Sequence, residues 1–175
     1  QHGNDAVLKR MGRKSSQALI REKVAKLRAA MPDIAIRTTL IVGFPGETEE
    51  EFQETLSLIE EVRYDSLFTF IFSPRKGTPA ASMDDPTPKE EKNRRFDRLC
   101  DVQNGISEEI HRDYIGKTMR CIIDGKDKDQ LTARTEGGRL VRLSGEDSLI
   151  GNFAFVTITG ATTWSLTGEL ATEEK

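Results

Sequence analysis

The chain has 175 residues, a formal net charge of −3, and an ordinary content of hydrophobic (36%) and charged (31%) residues. That length allows one medium domain or two small ones. No run approaches the roughly 18 consecutive apolar residues of a membrane span, and residues 1–4 look like a cut through a longer chain rather than a signal peptide. The mild acidity argues against bulk affinity for nucleic acid but leaves room for a local basic face.

The chain has only two cysteines and two histidines as candidate thiolate and imidazole ligands for a metal. Cys100 and Cys121 lie in segments of different character, and free thiols in a cytoplasmic protein are favoured over a disulfide. They are too few and too far apart for a zinc or iron–sulfur site of their own. His2 and His111 have no second ligand at a useful spacing, so we expect both at the surface.

Residues 1–83 alternate predicted helices and strands. The predicted elements are helices over 6–11, from Ser16 and after Thr48, and strands over 34–42 and 66–73. Asp5 is the expected cap of the first helix, and Thr48 and Glu51 have the spacing of a capping box. Two strands joined by a helix and short turns indicate parallel pairing, with helices covering the sheet.

The second half of the chain changes character twice. Residues 84–88 contain two prolines and two acids and predict a linker. One charged helix over 89–112 follows, and its sparse apolar stripe indicates a connecting helix rather than a site. Beyond it, short strands are predicted over 118–123, 130–134, 139–143, 153–159 and 165–170, with the first turn at Asp124-Gly125. Strands spaced by roughly ten residues are typical of a small barrel of the oligonucleotide-binding kind.

The turn Gly43-Phe44-Pro45-Gly46 joins a predicted strand to a predicted helix. It is either a tight connection or a place where a ligand approaches the backbone beside the positive end of a helix. Alternation along the strand puts Arg37, Thr39, Ile41 and Gly43 on one face. A charge in an apolar strand is costly unless it is paired, so Arg37 either lies at the open end of the strand or meets an anion.

Two basic segments are candidate substrate contacts. Arg75 and Lys76 follow the second strand at its C-terminal end, the same rim as the glycine turn. They belong either to a basic surface loop or to a substrate loop. Arg134, Arg139 and Arg142 are predicted on two neighbouring strands, where they form either a solvated edge or a patch that contacts phosphates.

Three stretches together resemble the methylthiotransferase family of radical S-adenosylmethionine enzymes. They are LIVGFPGETEEEF, FTFIFSPRKGTPAASM, and the run from GKTMRCIIDG to SLTGEL, and the resemblance covers nearly the whole chain. It implies an α/β partial (β/α) barrel, the second half of a radical SAM barrel, followed by a small all-β TRAM barrel. The implied boundaries are 1–83 for the half barrel, 84–112 for the linker and helix, and 113–172 for the TRAM domain.

The resemblance points to two branches of that family. The TRAM pattern and SPRKGTPAA fit the branch that converts N6-isopentenyladenosine beside the tRNA anticodon to its 2-methylthio form. The first forty residues are closer to the branch that modifies an aspartate of a small-subunit ribosomal protein. We follow the first branch, with the tRNA anticodon stem-loop as partner, because the TRAM domain and the SPRKGTPAA loop are the segments that would contact the substrate. An alternative from a different functional class is that the chain is a non-catalytic RNA-binding module.

The resemblance also implies cofactors for the longer parent enzyme, namely S-adenosylmethionine and two [4Fe–4S] clusters. The residues implied on the S-adenosylmethionine side are Arg37, Thr39, Ile41, Gly43 and Phe72. Arg75 and Lys76 are implied tRNA contacts. The family's cluster cysteines lie upstream of Gln1, and Cys100 and Cys121 match neither set. We therefore expect no metal ligand or catalytic residue in this polypeptide, which alone would be inactive, and a cytoplasmic parent with no membrane contact.

Overall fold

The computed structural model describes residues 1–171 and divides into two compact units, one over Gln1–Ile106 and one that begins at Ser107. The first unit contains α1 (Asp5–Arg10), α2 (Gln17–Ala30), β1 (Arg37–Val42), α3 (Glu49–Val62), β2 (Ser66–Ile71), a 3-10 turn (Pro79–Ser82) and most of α4 (Lys89–Arg112). The second contains β3 (Thr118–Asp127), β4 (Gln130–Thr135), β5 (Leu140–Leu143), a 3-10 turn (Asp147–Leu149), β6 (Phe153–Ala161) and β7 (Leu166–Leu170). This order confirms the predicted fold class.

The first unit is built on a parallel pair of strands, as the sequence predicts. β1 and β2 pair from Arg37 opposite Ser66 to Val42 opposite Ile71. Helix α3 is the crossover that a parallel pair requires. The predicted apolar face of α3 is buried, with at most 4% exposure at Phe52, Leu56, Ile59 and Val62. One face of the sheet is therefore covered by helices, and the other carries exposed side chains.

Helix α3 begins with the predicted capping box. The Thr48 hydroxyl accepts from the Glu51 N–H at 3.2 Å, and the Glu51 carboxylate accepts from the Thr48 N–H at 3.0 Å. Glu51 also receives two hydrogen bonds from Arg10, at 2.8 and 2.7 Å. The cap of α1 differs from the prediction. Asn4, not Asp5, accepts from the third helical N–H, because only the residue before the first turn can reach that amide.

The Arg10–Glu51 contact predicts an acid-sensitive contribution to stability. Hydrogen bonds from Arg10 hold the pKa of Glu51 below its ordinary value, with the Thr48 amide as a smaller cause. A lowered folded-state pKa stabilises the protein above the ordinary glutamate pKa, and this contribution is lost as pH falls through the lowered value. Glu51→Gln should therefore cost about 1 kcal/mol at neutral pH and nothing in strong acid. Urea melts across pH test this, and an equal cost at every pH would contradict it.

The second unit is a closed five-stranded barrel in the order β3-β4-β5-β7-β6. Only β5 and β7 pair in parallel. The inward side chains form one apolar core with no more than 1% exposure, made of Cys121, Ile123, Leu131, Ala133, Val141, Leu143, Val156, Ile158 and Leu166. All five predicted strands are confirmed. The turn predicted at Asp124-Gly125 is wrong, because β3 continues to Asp127 through a bulge after Ile123, a position where glycine is common.

Helix α4 has the predicted bounds but a different buried face. Leu99 and Ile106 are buried as an apolar stripe requires, yet Lys92, Arg95 and Gln103 are buried beside them. Buried polar groups need partners, and Gln103 donates to the Tyr64 carbonyl at 2.8 Å. Within the first unit α4 is therefore held by polar contacts as well as apolar ones. Across residues 1–171, none of the helices combines the length and apolarity that crossing a membrane requires.

Candidate functional site

An open cleft of about 490 Å³ lies on the uncovered face of β1 and β2. Its volume is within the usual range for small-molecule sites. The lining residues are Gln1, Met11, Arg13, Thr39, Ile41, Phe44, Phe70, Ile71, Phe72, Ser73, Arg75, Thr78 and Ala80. The floor is aromatic and aliphatic, hydroxyl groups lie among the lining side chains, and two arginines line the cleft. Such a surface suits a molecule with a flat apolar part and an anionic group.

The aromatic part of the floor comes from the turn and from the end of β2. The rings of Phe44 and Phe72 meet edge to face, with centroids 5.1 Å apart and planes at 71°. Phe70 is 55% exposed, although phenylalanine is among the residue types most often buried. The sequence signal for this surface is the alternation of Phe68, Phe70 and Phe72 along and just beyond β2.

Four of the predicted site residues line this cleft, namely Thr39, Ile41, Phe72 and Arg75. The Phe72 N–H already donates to the Val42 carbonyl at 2.8 Å. Only its carbonyl can serve a ligand. Arg75, a predicted tRNA contact, also lines this cleft.

Arg37, Gly43 and Lys76 do not line the cleft. Arg37 is exposed at the first residue of β1 and lies 5.9 Å from the centroid of the Phe68 ring. Gly43 is buried with a φ of +70°, and a Cβ there would come within 2.7 Å of the Lys92 side chain. The glycine is therefore required for close packing of α4 against the turn, and alternation fails at Gly43 because β1 has ended.

The Gly43-Phe44-Pro45-Gly46 turn is held by a buried carboxylate. The Glu47 side chain is fully buried and accepts from the Gly43 N–H at 2.9 Å, His2 Nε2 at 3.2 Å and Arg95 at 3.1 Å. Arg95 also donates to the Glu47 carbonyl at 2.8 Å. His2 Nδ1 accepts from the Asn4 N–H at 3.0 Å, so Nε2 carries the proton that binds Glu47. This network fixes the backbone at one end of the cleft.

The expected surface positions of both histidines are wrong. His2 is 1% exposed and belongs to the Glu47 network, and His111 is 7% exposed. His111 Nδ1 donates to the Thr162 carbonyl at 2.7 Å. Each partner is more than forty residues away in the chain, so spacing in the sequence gave no sign of either contact.

The three arginines of the barrel do not form one patch. Arg134 pairs with Asp124 at 2.9 Å, and Arg142 pairs with Asp127 at 2.7 Å, both on the outer face. Arg139 is 9% exposed and lies 4.5 Å from the centroid of the Tyr114 ring. Residues 139 and 142 differ by an odd number and so point to opposite sides of the chain. The sequence prediction of a shared patch relied on proximity and overlooked this alternation.

The outer face of β3 and β6 carries an aromatic surface that the sequence reasoning missed. Phe153 and Phe155 are 60% and 61% exposed, and the Arg120 guanidinium carbon lies 3.8 Å from the centroid of the Phe153 ring. The register places Arg120 opposite Phe155. Alternation along β6 could have revealed it, because Val156 and Ile158 point inward and the two phenylalanines therefore point outward.

Neither cysteine has the setting of a metal ligand. Both thiols are free, Cys100 partly exposed on α4 and Cys121 buried in the barrel core. Burial raises the pKa of each thiol, and Asp97 and Asp101 add to the effect at Cys100. A raised pKa disfavours the thiolate that binds metals. Within residues 1–171 there is no cluster of three His, Cys, Asp or Glu side chains suited to a metal ion.

Comparison with known protein families and sequences supports the resemblance drawn from the motifs. The model of the radical SAM superfamily matches residues 1–59, and that of the TRAM domain matches residues 112–171. The chain is 47% identical over 176 residues (99% of this chain, 33% of the relative) to the tRNA-2-methylthio-N(6)-dimethylallyladenosine synthase of Geobacillus kaustophilus (strain HTA426). It is also 47% identical over 173 residues (97% and 39%) to the protein of that name from Francisella tularensis subsp. novicida (strain U112). The chain thus spans between 33% and 39% of these relatives.

Proposed function

We propose that the chain belongs to the methylthiotransferase family of radical S-adenosylmethionine enzymes, and that it forms one wall of the S-adenosylmethionine site and the RNA-binding end of such an enzyme. The observation that carries this proposal is the 47% identity across nearly the whole chain to synthases named for a methylthio-modified adenosine of tRNA. The cleft on β1 and β2 and the separate β-barrel give the two roles a structural basis.

The cleft fits the part of S-adenosylmethionine that the resemblance assigns to this half of the barrel. Ile41 and Phe70 offer an apolar surface for a flat ring, and the Thr39 hydroxyl can hydrogen-bond a ribose hydroxyl. Arg13 and Arg75 are the cations of the lining, so either can bind a carboxylate. Contacts of Arg37 and Gly43 with S-adenosylmethionine remain predictions, because neither residue lines the cleft.

The family implies S-adenosylmethionine and [4Fe–4S] clusters as cofactors, and when bound these supply the radical, sulfur and methyl chemistry. The residues of this chain do not fit a cluster, because its two cysteines lie in different units and have raised pKa values. The part played by this chain is therefore binding and orientation: the cleft holds the cofactor, and the Glu47 network keeps the turn beside it in one conformation. We propose that the chain alone is inactive.

We propose the tRNA anticodon stem-loop as the substrate and the cytoplasm as the location of the longer protein. The name of the matched relatives favours tRNA over the aspartate of a small-subunit ribosomal protein. A non-catalytic RNA-binding module is a weaker alternative, because the match to the radical SAM model includes the cleft strand β1. The RNA contacts at Arg75, Lys76, Arg134, Arg139 and Arg142 remain predictions, as do the boundaries 1–83, 84–112 and 113–172.

A direct test uses the purified longer protein with both candidate substrates. The protein, loaded with its clusters and supplied with S-adenosylmethionine, is incubated with tRNA that contains N6-isopentenyladenosine and, separately, with the ribosomal protein. We expect mass spectrometry to find a methylthio group on the adenosine alone. A methylthio group on the aspartate instead would replace the tRNA proposal with its alternative, and no product on either would reject the enzyme proposal.

A further inference from the structure

We propose that the outer face of β3 and β6 binds single-stranded RNA by stacking bases on Phe153 and Phe155 beside Arg120. We call this surface the Phe153–Phe155 face. The inference rests on the proposed function, because it specifies how the barrel would recognise RNA. It differs from the sequence prediction, which placed the RNA contacts of the barrel at Arg134, Arg139 and Arg142.

The two phenylalanines of this face lie on one side of β6, as a surface for stacking bases requires. Phe153 and Phe155 lie two residues apart on β6 and therefore on the same side of the strand. They pair with Ile122 and Arg120 on β3. Farther along the same two strands, the hydroxyls of Thr118 and Thr157 hydrogen-bond at 2.9 Å. An aromatic surface thus continues into a polar, uncharged one.

The barrel does not need these rings for its own stability. Its interior is filled by the opposite side of the same strand, where Val156 and Ile158 are 0% and 1% exposed. Two phenylalanines about 60% exposed on one strand are a concentration of apolar surface, and contiguous apolar patches commonly mark binding sites. The face is therefore better explained by a ligand than by folding.

The charge on the face points to a nucleic acid. Arg120 lies over the Phe153 ring at 3.8 Å and makes no ion pair within residues 1–171, whereas aspartates hold Arg134 and Arg142. An aromatic ring with an adjacent arginine binds a base by stacking and its phosphate by charge. A partner protein with an apolar surface would instead bury Arg120 without a counterion, which is costly. Duplex RNA hides the faces of its bases, so the ligand is single-stranded.

The test compares pairs of variants that separate stacking from simple hydrophobicity. Fluorescence anisotropy measures the affinity of the 175-residue chain for a labelled single-stranded RNA and for a duplex of equal length. Phe155→Leu keeps an apolar side chain but removes the ring, and should weaken single-strand binding roughly 5- to 100-fold. Phe155→Tyr keeps the ring and should stay within about twofold. Arg120→Gln should weaken binding and reduce its dependence on salt, while Arg120→Lys restores the salt dependence.

Phe68→Leu is the matched control, because Phe68 is 54% exposed and lies in the first unit. It should leave RNA affinity within about twofold. The inference is overturned if the chain binds no RNA, if the duplex binds as tightly as the single strand, or if Phe155→Tyr loses as much affinity as Phe155→Leu. Unchanged RNA affinity in Phe155→Leu also overturns the inference, and the exposed rings would then be better explained as a contact surface for another protein. Any of these results rejects the Phe153–Phe155 face as an RNA-binding surface. If the longer parent protein still modifies tRNA, the proposed function stands without it.

Discussion

Glu47→Ala should lower the free energy of unfolding of the first unit by about 2–4 kcal/mol, because it leaves the buried Gly43 N–H without its acceptor and removes one of the three carboxylates that pair with Arg95 within residues 1–171. The Glu47 carboxylate is fully buried and is the shared acceptor for the Gly43 N–H, His2 and Arg95. Its removal leaves a buried guanidinium without this partner and an amide without an acceptor. Because the turn lies beside the cleft, the loss should appear as local opening of residues 40–62 before global unfolding.

Urea melts and amide hydrogen exchange of peptides from residues 40–62 measure this effect. Glu60→Ala is the control, since Glu60 is exposed on α3, the helix that follows the turn, and a surface change of this kind stays within about 0.5 kcal/mol. Glu47→Gln should fall between the two, because an amide can still accept from Gly43 but cannot neutralise Arg95. If Glu47→Ala proved no more harmful than Glu60→Ala, the network would not be what holds the turn.

Ile158→Ala should destabilise the barrel by about 2–5 kcal/mol, whereas Phe155→Ala should leave its stability within about 1 kcal/mol. Both residues lie on β6, three positions apart, but Ile158 is 1% exposed and Phe155 is 61% exposed. A barrel of about 60 residues has a small core and little stability to lose. The Ile158 variant should therefore be partly unfolded at 37 °C, and it should lose RNA affinity through unfolding.

Thermal melts and amide hydrogen exchange of peptides from β6 follow unfolding of the second unit, while anisotropy follows RNA binding. Phe155→Ala should separate the two properties, with an unchanged melting temperature and weakened RNA affinity. Equal losses of stability in the two variants would mean that Phe155 supports the core, and the assignment of the two sides of β6 would then be wrong.

The features that were predicted correctly are those determined by local sequence. The capping box at Thr48 and Glu51, the bounds of α4 and the five barrel strands each depend on residues within a few positions of one another. Alternation along β1 likewise predicted that Thr39 and Ile41 share one face of the strand, and both side chains line the cleft on that face. Such patterns need no knowledge of which distant segments meet.

The features that were missed depend on contacts across the chain. Glu47 lies 45 residues from His2 and 48 from Arg95, and no periodicity links these positions. The Phe153–Phe155 face is a different case, because alternation predicts its orientation once β6 is recognised. What the sequence lacked was a reason to regard two strand phenylalanines as surplus to the core, and the closed barrel supplies it.

The most direct measurement of the central claim is nucleoside and protein mass spectrometry of cells with and without the gene for the longer protein. We expect tRNA from cells lacking the gene to retain N6-isopentenyladenosine and to lose its 2-methylthio form, with the ribosomal protein unchanged. Restoring the gene should restore the 2-methylthio nucleoside. Loss of the methylthio group from the ribosomal-protein aspartate, with normal tRNA, would contradict the account.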